Sequence, residues 1–156
     1  MKPLIIAINA KFIHTNNAVR LLKANSKYPI DIAEFTIKDS IDDILDTIKA
    51  HNPLFVGFST YIWNVEVIKT LCKKINDVPV VLGGPEVSYD ADHFLNVADL
   101  IVKGEGEHVI DRVIEYYKDG TPLKGTPSIT TKDYDHPIEE IKDLSSLELP
   151  YYFAFD

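Results

Sequence analysis

Four short segments of the chain concentrate residue types that bind ligands: hydroxyls, amides, glycines, carboxylates and two histidines. They span residues 9–17, 59–64, 83–88 and 104–108. Hydroxyl and amide side chains donate and accept hydrogen bonds, and a glycine lets a ligand approach the backbone because it has no Cβ atom. The four segments are therefore candidates for one ligand-binding site.

The segment that begins with Gly83 and Gly84 and continues with Pro85 and Glu86 has two interpretations. The paired glycines predict either a tight turn from a strand into a helix or a close approach by a ligand, and a pair alone does not separate the two. Gly104 and Glu105 begin the fourth segment, whose acids suit the first turn of a helix. Capping is the first interpretation there and a carboxylate edge facing a ligand is the second.

The segment with Ser59, Thr60 and Tyr61 places two hydroxyls and an aromatic ring together, with Trp63 and Asn64 close behind. Trp63 is interpretable as a core or interface anchor and Asn64 as a helix cap. Ser59 at the end of a predicted strand is harder to explain structurally, since its hydroxyl can donate to a ligand.

Catalytic and all-protein metal motifs are missing from the sequence. No pair of histidines has the spacing of a zinc helix, and no Ser/His/Asp or Cys/His arrangement supports acyl transfer. His14 alone is more typical of a surface or capping residue. The single cysteine, Cys72, falls on an apolar helical stripe and is predicted to be an inert core thiol.

Strands and helices are predicted to alternate through the first three quarters of the chain. The predicted strands are 4–8, 30–37, 54–58, 78–82 and 100–102, and apolar residues at helical spacing predict helices near 18–22, 41–48, 68–75 and 110–117, with a weaker helix at 87–95. Ser40 and Asp43 resemble a capping box for the second helix. The predicted fold class is α/β, a doubly wound five-stranded parallel sheet with the flavodoxin-like order 2-1-3-4-5.

This fold brings the four segments together, because ligands of open α/β sheets bind outside the carboxyl ends of the strands. After residue 118 the periodicity stops and prolines and glycines recur, so an irregular C-terminal tail is expected.

Composition excludes several classes of function. With 16 basic and 24 acidic residues the net charge is −8 and no basic cluster appears, so nucleic acid is not an expected partner. One cysteine excludes an internal disulfide and a Cys-ligated cluster held by this chain alone. The apolar run at 4–8 is too short for a membrane span. We therefore expect a cytoplasmic protein without a membrane partner.

The four segments together resemble the N-terminal cobalamin (B12)-binding domain of B12-dependent radical SAM proteins, in the subgroup of the anaerobic magnesium-protoporphyrin IX monomethyl ester cyclases. The residues that carry the resemblance are 9–14 (NAKFIH), 57–64 (GFSTYIWN), 83–88 (GGPEVS) and 104–107 (GEGE). The resemblance covers about residues 3–118.

The resemblance implies a corrinoid contact set and a cobalt ligand. It assigns cofactor binding to Ser59, Thr60, Tyr61, Gly83, Gly84, Pro85, Glu86, Gly104 and Glu105, and metal ligation to His14. Phe12 and Asn17 replace the family's Asp and Gly, and Tyr61 replaces a Leu. Since an Asp would orient the histidine, base-off binding without His14 stays open beside ligation by His14, with Ser59 and the glycines contacting the nucleotide tail.

The resemblance also implies a larger enzyme. Residues 1–118 would be the cobalamin-binding domain and residues 119–156 a linker into an absent radical SAM domain in cis, which would hold a [4Fe–4S] cluster and S-adenosylmethionine. The expected function is a cobalamin module for methyl transfer or radical cyclisation, not catalytic alone. The alternatives are a cofactor-less docking domain and a receiver-like signalling domain, and the aromatic chain end could drive homodimerisation.

Overall fold

The described part of the chain forms a six-stranded sheet with helices on both faces; the computed structural model describes residues 1–10, 17–88, 91–104, 106, 109–123, 126 and 128–132. The strands are β1 (Leu4–Asn9), β2 (Asp31–Thr36), β3 (Val56–Ser59), β4 (Val80–Gly83), β5 (Leu100–Val102) and β6 (Ile129–Thr130). The helices are α1 (Asn17–Asn25), α2 (Ile41–His51), α3 (Val65–Lys74), α4 (Pro85–Ser88), α5 (Ala91–Phe94) and α6 (Ile110–Asp119).

The strand order is β2-β1-β3-β4-β5-β6, and β1 to β5 pair in parallel. This confirms the α/β fold class and the predicted order of the first five strands. The predicted count of five strands is wrong, because Ile129 and Thr130 pair antiparallel with Val102 and Ile101 of β5. A two-residue strand has no periodicity to detect, and it forms only because β5 offers an open edge.

Two apolar clusters cover the two faces of the sheet. On one face, even-numbered residues of β1, β3 and β4 pack against α2, α3, α4 and α5; on the other, odd-numbered residues of β1 and β4 pack with α1 and α6. Side chains alternate between the faces of a strand, so continuous apolar strands are what a sheet covered on both sides requires.

Local signals in the sequence succeed at α2 and fail near α4. The Ser40 hydroxyl accepts a hydrogen bond from the backbone N–H of Asp43 at 3.0 Å, as a capping residue does. The predicted single helix at 87–95 is wrong, since two four-residue helices, α4 and α5, occupy this region. Val87, Ala91 and Phe94 have helical spacing and pack in one core cluster, which explains the prediction, but α4 ends at Ser88 and α5 begins at Ala91.

Within the described residues, no helix is long and apolar enough to cross a membrane.

Candidate functional site

A cavity of about 380 Å³ lies between the sheet and the helices α1 and α6. It extends from Ile5 and Gly57 within the sheet to Tyr61 and Pro85 at the carboxyl ends of the strands. Protein interiors are otherwise close-packed, and this volume lies within the range of about 300–1,000 Å³ typical of small-molecule sites. The cavity is therefore the strongest ligand-site candidate in the described part of the chain.

The floor of the cavity is made by glycines on one face of the sheet. Ile5, Gly57 and Val81 are paired side by side, and Ser59 is paired with Gly83 in the same direction along β3 and β4. Because side chains alternate, Gly57 and Gly83 leave the α1/α6 face bare at two neighbouring positions. A Cβ atom on Gly83 would meet only ordinary contacts, the nearest being the Val102 carbonyl oxygen at 3.7 Å. Protein packing therefore does not require a glycine at position 83.

Gly84 is a glycine for a different reason. Its φ is +101°, and a Cβ atom there would meet the backbone oxygen and, at 2.6 Å, the backbone nitrogen of Thr60. The Thr60 hydroxyl and N–H both donate to the Gly83 carbonyl, at 2.5 and 2.7 Å. The residue after β3 and the turn after β4 are thus locked together, which places both strand ends at the same rim.

Ser88 joins the turn after β4 to the turn after β5. Its hydroxyl donates to the Gly84 carbonyl at 2.8 Å and accepts from the Gly104 N–H at 3.0 Å. Gly104 has a φ of +69°, which favours glycine. A single hydroxyl thus connects the third and fourth ligand-type segments.

Ser59 ends β3 on the cavity side and is only 8% exposed. Its carbonyl accepts from the Asn64 side chain at 3.1 Å. Within the described residues its hydroxyl makes no hydrogen bond, so this hydroxyl can donate to or accept from a ligand in the cavity.

The segment after Ser59 is braced by Asn64. The Asn64 amide donates to the Ile8 carbonyl at 2.9 Å, and its oxygen accepts from the Tyr61 N–H at 2.7 Å. Asn64 occupies the predicted N-cap position of α3, but its side chain makes no capping hydrogen bond and bonds to β1 and the loop instead. The Tyr61 and Trp63 rings stack in parallel with centroids 4.4 Å apart, which sets Tyr61 at the cavity rim.

The structure brings most of the predicted cofactor-binding residues to one cavity. Ser59, Tyr61, Gly83, Gly84, Pro85 and Gly104 line it. Thr60 is fully buried with its hydroxyl on Gly83, and Glu86 donates its N–H to the Thr60 carbonyl, so the described contacts of both are with the loop framework. Glu105 and His14 lie outside the described residues. The binding roles of all these residues stay predictions.

The binding residues assigned from the sequence leave out the walls of the cavity. These are formed by Ile5, Leu22, Gly57, Phe58, Val81, Ser88, Val102, Gly106 and Ile110. Gly57, Ser88 and Gly106 lie in the segments that carry the resemblance but were not assigned a role. Alternation along β3 and β4 could have found Gly57 and Val81, since each lies two residues before a predicted site residue. Leu22 and Ile110 had no such signal, because apolar residues at helical spacing indicate core in general.

The described cavity wall carries no carboxylate and no amine; its one titratable side chain is the Tyr61 phenol. No group of three or more His, Cys, Asp or Glu side chains that could hold a metal ion occurs among the described residues. The Cys72 thiol lies away from the cavity in α3; burial, with the nearby Asp99 charge, raises its pKa to about 12. An inert thiol is therefore confirmed at this position.

The segment that follows α1 is held to α6 by a polar cluster, which we call the clamp: Ser26, Lys27 and Tyr28 with Asp111 and Glu115. The Tyr28 hydroxyl donates to Glu115 at 2.6 Å, and the Ser26 hydroxyl donates to Asp111 at 2.5 Å. The hydrogen bond raises the pKa of Tyr28 to about 12 and lowers that of Glu115. The end of α1 is thus joined to α6, and none of the clamp residues lines the cavity.

The model of the B12 binding domain family matches residues 3–114, from β1 into α6. A curated relative, a methyltransferase of Pyrococcus horikoshii that is itself uncharacterized, is 26% identical over 125 residues. The match takes in 72% of this chain and 27% of the relative.

Solved structures share the fold. The cobalamin-dependent S-adenosylmethionine radical enzyme OxsB, with aqua-cobalamin and S-adenosylmethionine bound, aligns with a TM-score of 0.78 at 14% identity, over 99% of this chain and 25% of its own. The radical S-adenosylmethionine methyltransferase TsrM from Kitasatospora setae aligns at 0.65 and 18% identity, over 82% and 28%. At these identities the likeness shows the fold alone. The chain spans about a quarter of the length of each of these relatives.

Proposed function

This chain belongs to the B12-binding domain family, and we propose that it holds a corrinoid with the nucleotide tail in the cavity under α1 and α6. The observation that supports this most directly is Gly83. A side chain would fit at this position without a clash against the protein, and the space it would enter is the cavity. A ligand in the cavity supplies the reason for a glycine that protein packing does not supply.

The residues of the chain would bind and orient the cofactor rather than react with it. Ser59 offers a hydroxyl without a partner among the described residues, and the glycines let a ligand lie against the strands. The aliphatic wall would exclude water from whatever occupies the cavity. When bound, cobalamin supplies a cobalt centre for methyl-group or radical chemistry, since in cofactor enzymes the cofactor carries the difficult step.

We propose that the corrinoid is presented to a radical SAM domain in cis, which would supply the [4Fe–4S] cluster and S-adenosylmethionine. In this proposal residues 1–118 form the cobalamin domain and residues 119–156 lead toward the radical SAM domain. Within the second range, β6 still pairs with β5 of the cobalamin domain. The likeness of the fold to two S-adenosylmethionine radical enzymes supports this context. Methyl transfer or radical cyclisation is the proposed reaction of the larger enzyme, and the cyclase subgroup is the proposed relative.

His14 is the proposed axial ligand of the cobalt, and binding without it is the competing state. Phe12 stands where the family has an Asp that would orient the imidazole. The two states are separated by the spectrum of the bound corrinoid, which reports the axial ligand directly.

The test is a visible-spectrum titration of the 156-residue chain with hydroxocobalamin, repeated on Ser59→Tyr, Gly83→Leu and His14→Ala. We expect saturable binding by the unaltered chain and a loss of at least about a hundredfold, or about 2.8 kcal/mol, in the first two variants, because both side chains would fill the cavity. An altered spectrum in His14→Ala supports ligation by His14, and an unchanged one establishes binding without it.

Thr36→Tyr is the matched control, since Thr36 ends the edge strand β2 and does not line the cavity. It should bind like the unaltered chain. Equal affinity in Ser59→Tyr, Gly83→Leu and Thr36→Tyr would contradict the proposed location, and no binding by the unaltered chain would contradict the proposed function.

A docking domain without a cofactor is the second candidate, favoured by the exposed tip of the loop after β3. Ile62 is 78% and Trp63 45% exposed, beside the cavity mouth. A receiver-like role is disfavoured, because that chemistry needs a carboxylate where Ser59 ends β3. Failure of the unaltered chain to bind hydroxocobalamin, with labelling by a small phosphodonor in Mg²⁺ also absent, would favour docking.

A further inference from the structure

We infer that the cavity selects among corrinoids by their lower base, and that it takes an apolar base such as 5,6-dimethylbenzimidazole in preference to adenine. This selectivity rests on the proposed function, because it concerns the part of the ligand assigned to the cavity. The wall carries five aliphatic side chains, contributed by both sheet and helices: Ile5, Leu22, Val81, Val102 and Ile110.

The polar groups around the cavity are largely engaged within the protein. The Ser88 hydroxyl bonds to Gly84 and Gly104, and the Gly83 carbonyl accepts from Thr60. The Tyr61 N–H donates to the Asn64 side chain. Among the hydroxyl side chains of the described wall, those of Ser59 and Tyr61 make no hydrogen bond within the described residues, and both residues lie at or just beyond the carboxyl end of β3.

An adenine base would give up more hydrogen bonds with water on entering this cavity than the cavity wall could replace. Its amino group and ring nitrogens are hydrogen-bonded to water in solution, and a polar group buried without a partner is destabilised. In the described wall, the side-chain hydroxyls open to such pairing are those of Ser59 and Tyr61, both at one end of the cavity. The methyl groups of dimethylbenzimidazole need no partner and would contact aliphatic side chains.

The test compares the affinities of three corrinoids for the 156-residue chain: cobalamin, the cobamide with adenine as its lower base, and cobinamide, which has no nucleotide. All three are measured as dicyano forms in excess cyanide. Cyanide then occupies both axial positions of the cobalt, so the bases differ only in how they fit the protein and not in how tightly they bind the metal.

We expect cobalamin to bind at least about tenfold more tightly than the adenine cobamide, with cobinamide also weaker than cobalamin. Equal affinity for cobalamin and the adenine cobamide, both tighter than cobinamide, would overturn the selectivity and leave the proposed function intact. Equal affinity for all three would show that the nucleotide does not bind in the cavity, and this would also overturn the selectivity. No binding of any of the three would overturn the selectivity, and no binding of hydroxocobalamin without cyanide as well would overturn the proposed function itself.

The variants Leu22→Gln and Leu45→Gln test whether the selectivity arises in this cavity. Both leucines are partly buried on helices, but Leu22 lines the cavity and Leu45 packs on the opposite face of the sheet. An amide at position 22 can pair with the polar edge of adenine, so the preference for cobalamin should narrow severalfold in Leu22→Gln and persist in Leu45→Gln. A preference unchanged in both variants would overturn the assignment to this cavity.

Discussion

The two faces of the sheet differ in how completely they are packed. On the face covered by α2 and α3, the sheet residues Phe58 and Leu82 are buried against Ile68 and Leu71, with no bare strand position among them. On the other face the same strands carry Gly57, Ser59 and Gly83 at their carboxyl halves, and a cavity of about 380 Å³ separates them from α1 and α6.

The difference shows that the candidate site is created by missing side chains. A close-packed face contributes stability through every methyl group it buries, whereas the cavity face gives up that packing where Gly57 and Gly83 lie. The helices over the cavity are joined instead by the clamp, none of whose residues lines the cavity. Substitutions on the two faces should therefore separate stability from ligand binding.

The largest expected effect is the loss of stability on truncating the packed face. Leu71→Ala should lower the free energy of unfolding by about 2–5 kcal/mol, since Leu71 is fully buried in α3. Leu22→Ala should cost at most about 1 kcal/mol, because Leu22 is partly exposed and borders open space. Urea denaturation of both variants measures the difference, and equal losses would mean that the two faces are packed alike.

The next largest effect concerns the paired glycines. We expect substitution of Gly84 to lower stability and substitution of Gly83 to weaken ligand binding. Gly84→Ala should destabilise the fold by at least about 2 kcal/mol, because φ is +101° and the Cβ atom would clash with the Thr60 backbone. Gly83→Ala should leave the unfolding free energy within about 1 kcal/mol of the original and weaken hydroxocobalamin binding about tenfold.

Denaturation curves and spectral titration of these two variants provide the measurement. If Gly83→Ala destabilised the chain as much as Gly84→Ala, the reason for its glycine would be packing and not a ligand.

The smallest effect concerns the clamp. The raised pKa of Tyr28 means that its contribution to stability is full below pH 10 and is lost as the pH rises from 10 toward about 12. The lowered pKa of Glu115 means that its contribution is full above its ordinary value of 4.5 and is lost as the pH falls through the lowered value. Tyr28→Phe removes the hydrogen bond behind both shifts, so its Tm should vary less with pH at both ends.

Thermal unfolding of the unaltered chain and of Tyr28→Phe between pH 3 and pH 11 measures how strongly Tm depends on pH in each. Parallel profiles would show that the clamp does not contribute to stability through these two groups. Hydroxocobalamin binding near neutral pH should be alike in both, since the clamp lies away from the cavity lining.

Much of the site was predictable because it depends on local chemistry. Ser59, Gly83 and Gly104 were singled out by residue type at predicted strand ends, and they line one cavity. Asn64 was placed at the right helix start, but the partners of its side chain were not predictable, since the identity of a residue does not say which carbonyl its amide will reach. Ile8 lies in another strand, brought close only by the β1–β3 pairing.

The sequence by itself determined the α/β class and the rim of the site, because hydrophobic periodicity and turn residues act within a few positions of the chain. The order of β1 to β5 was predicted from the general rules of doubly wound sheets, and the strand pairing confirms it. Tertiary structure alone decided β6, the cavity between the sheet and α1/α6, and the different reasons for Gly83 and Gly84. Each of these depends on which atoms from distant segments approach one another, and such distances do not exist until the sheet has assembled.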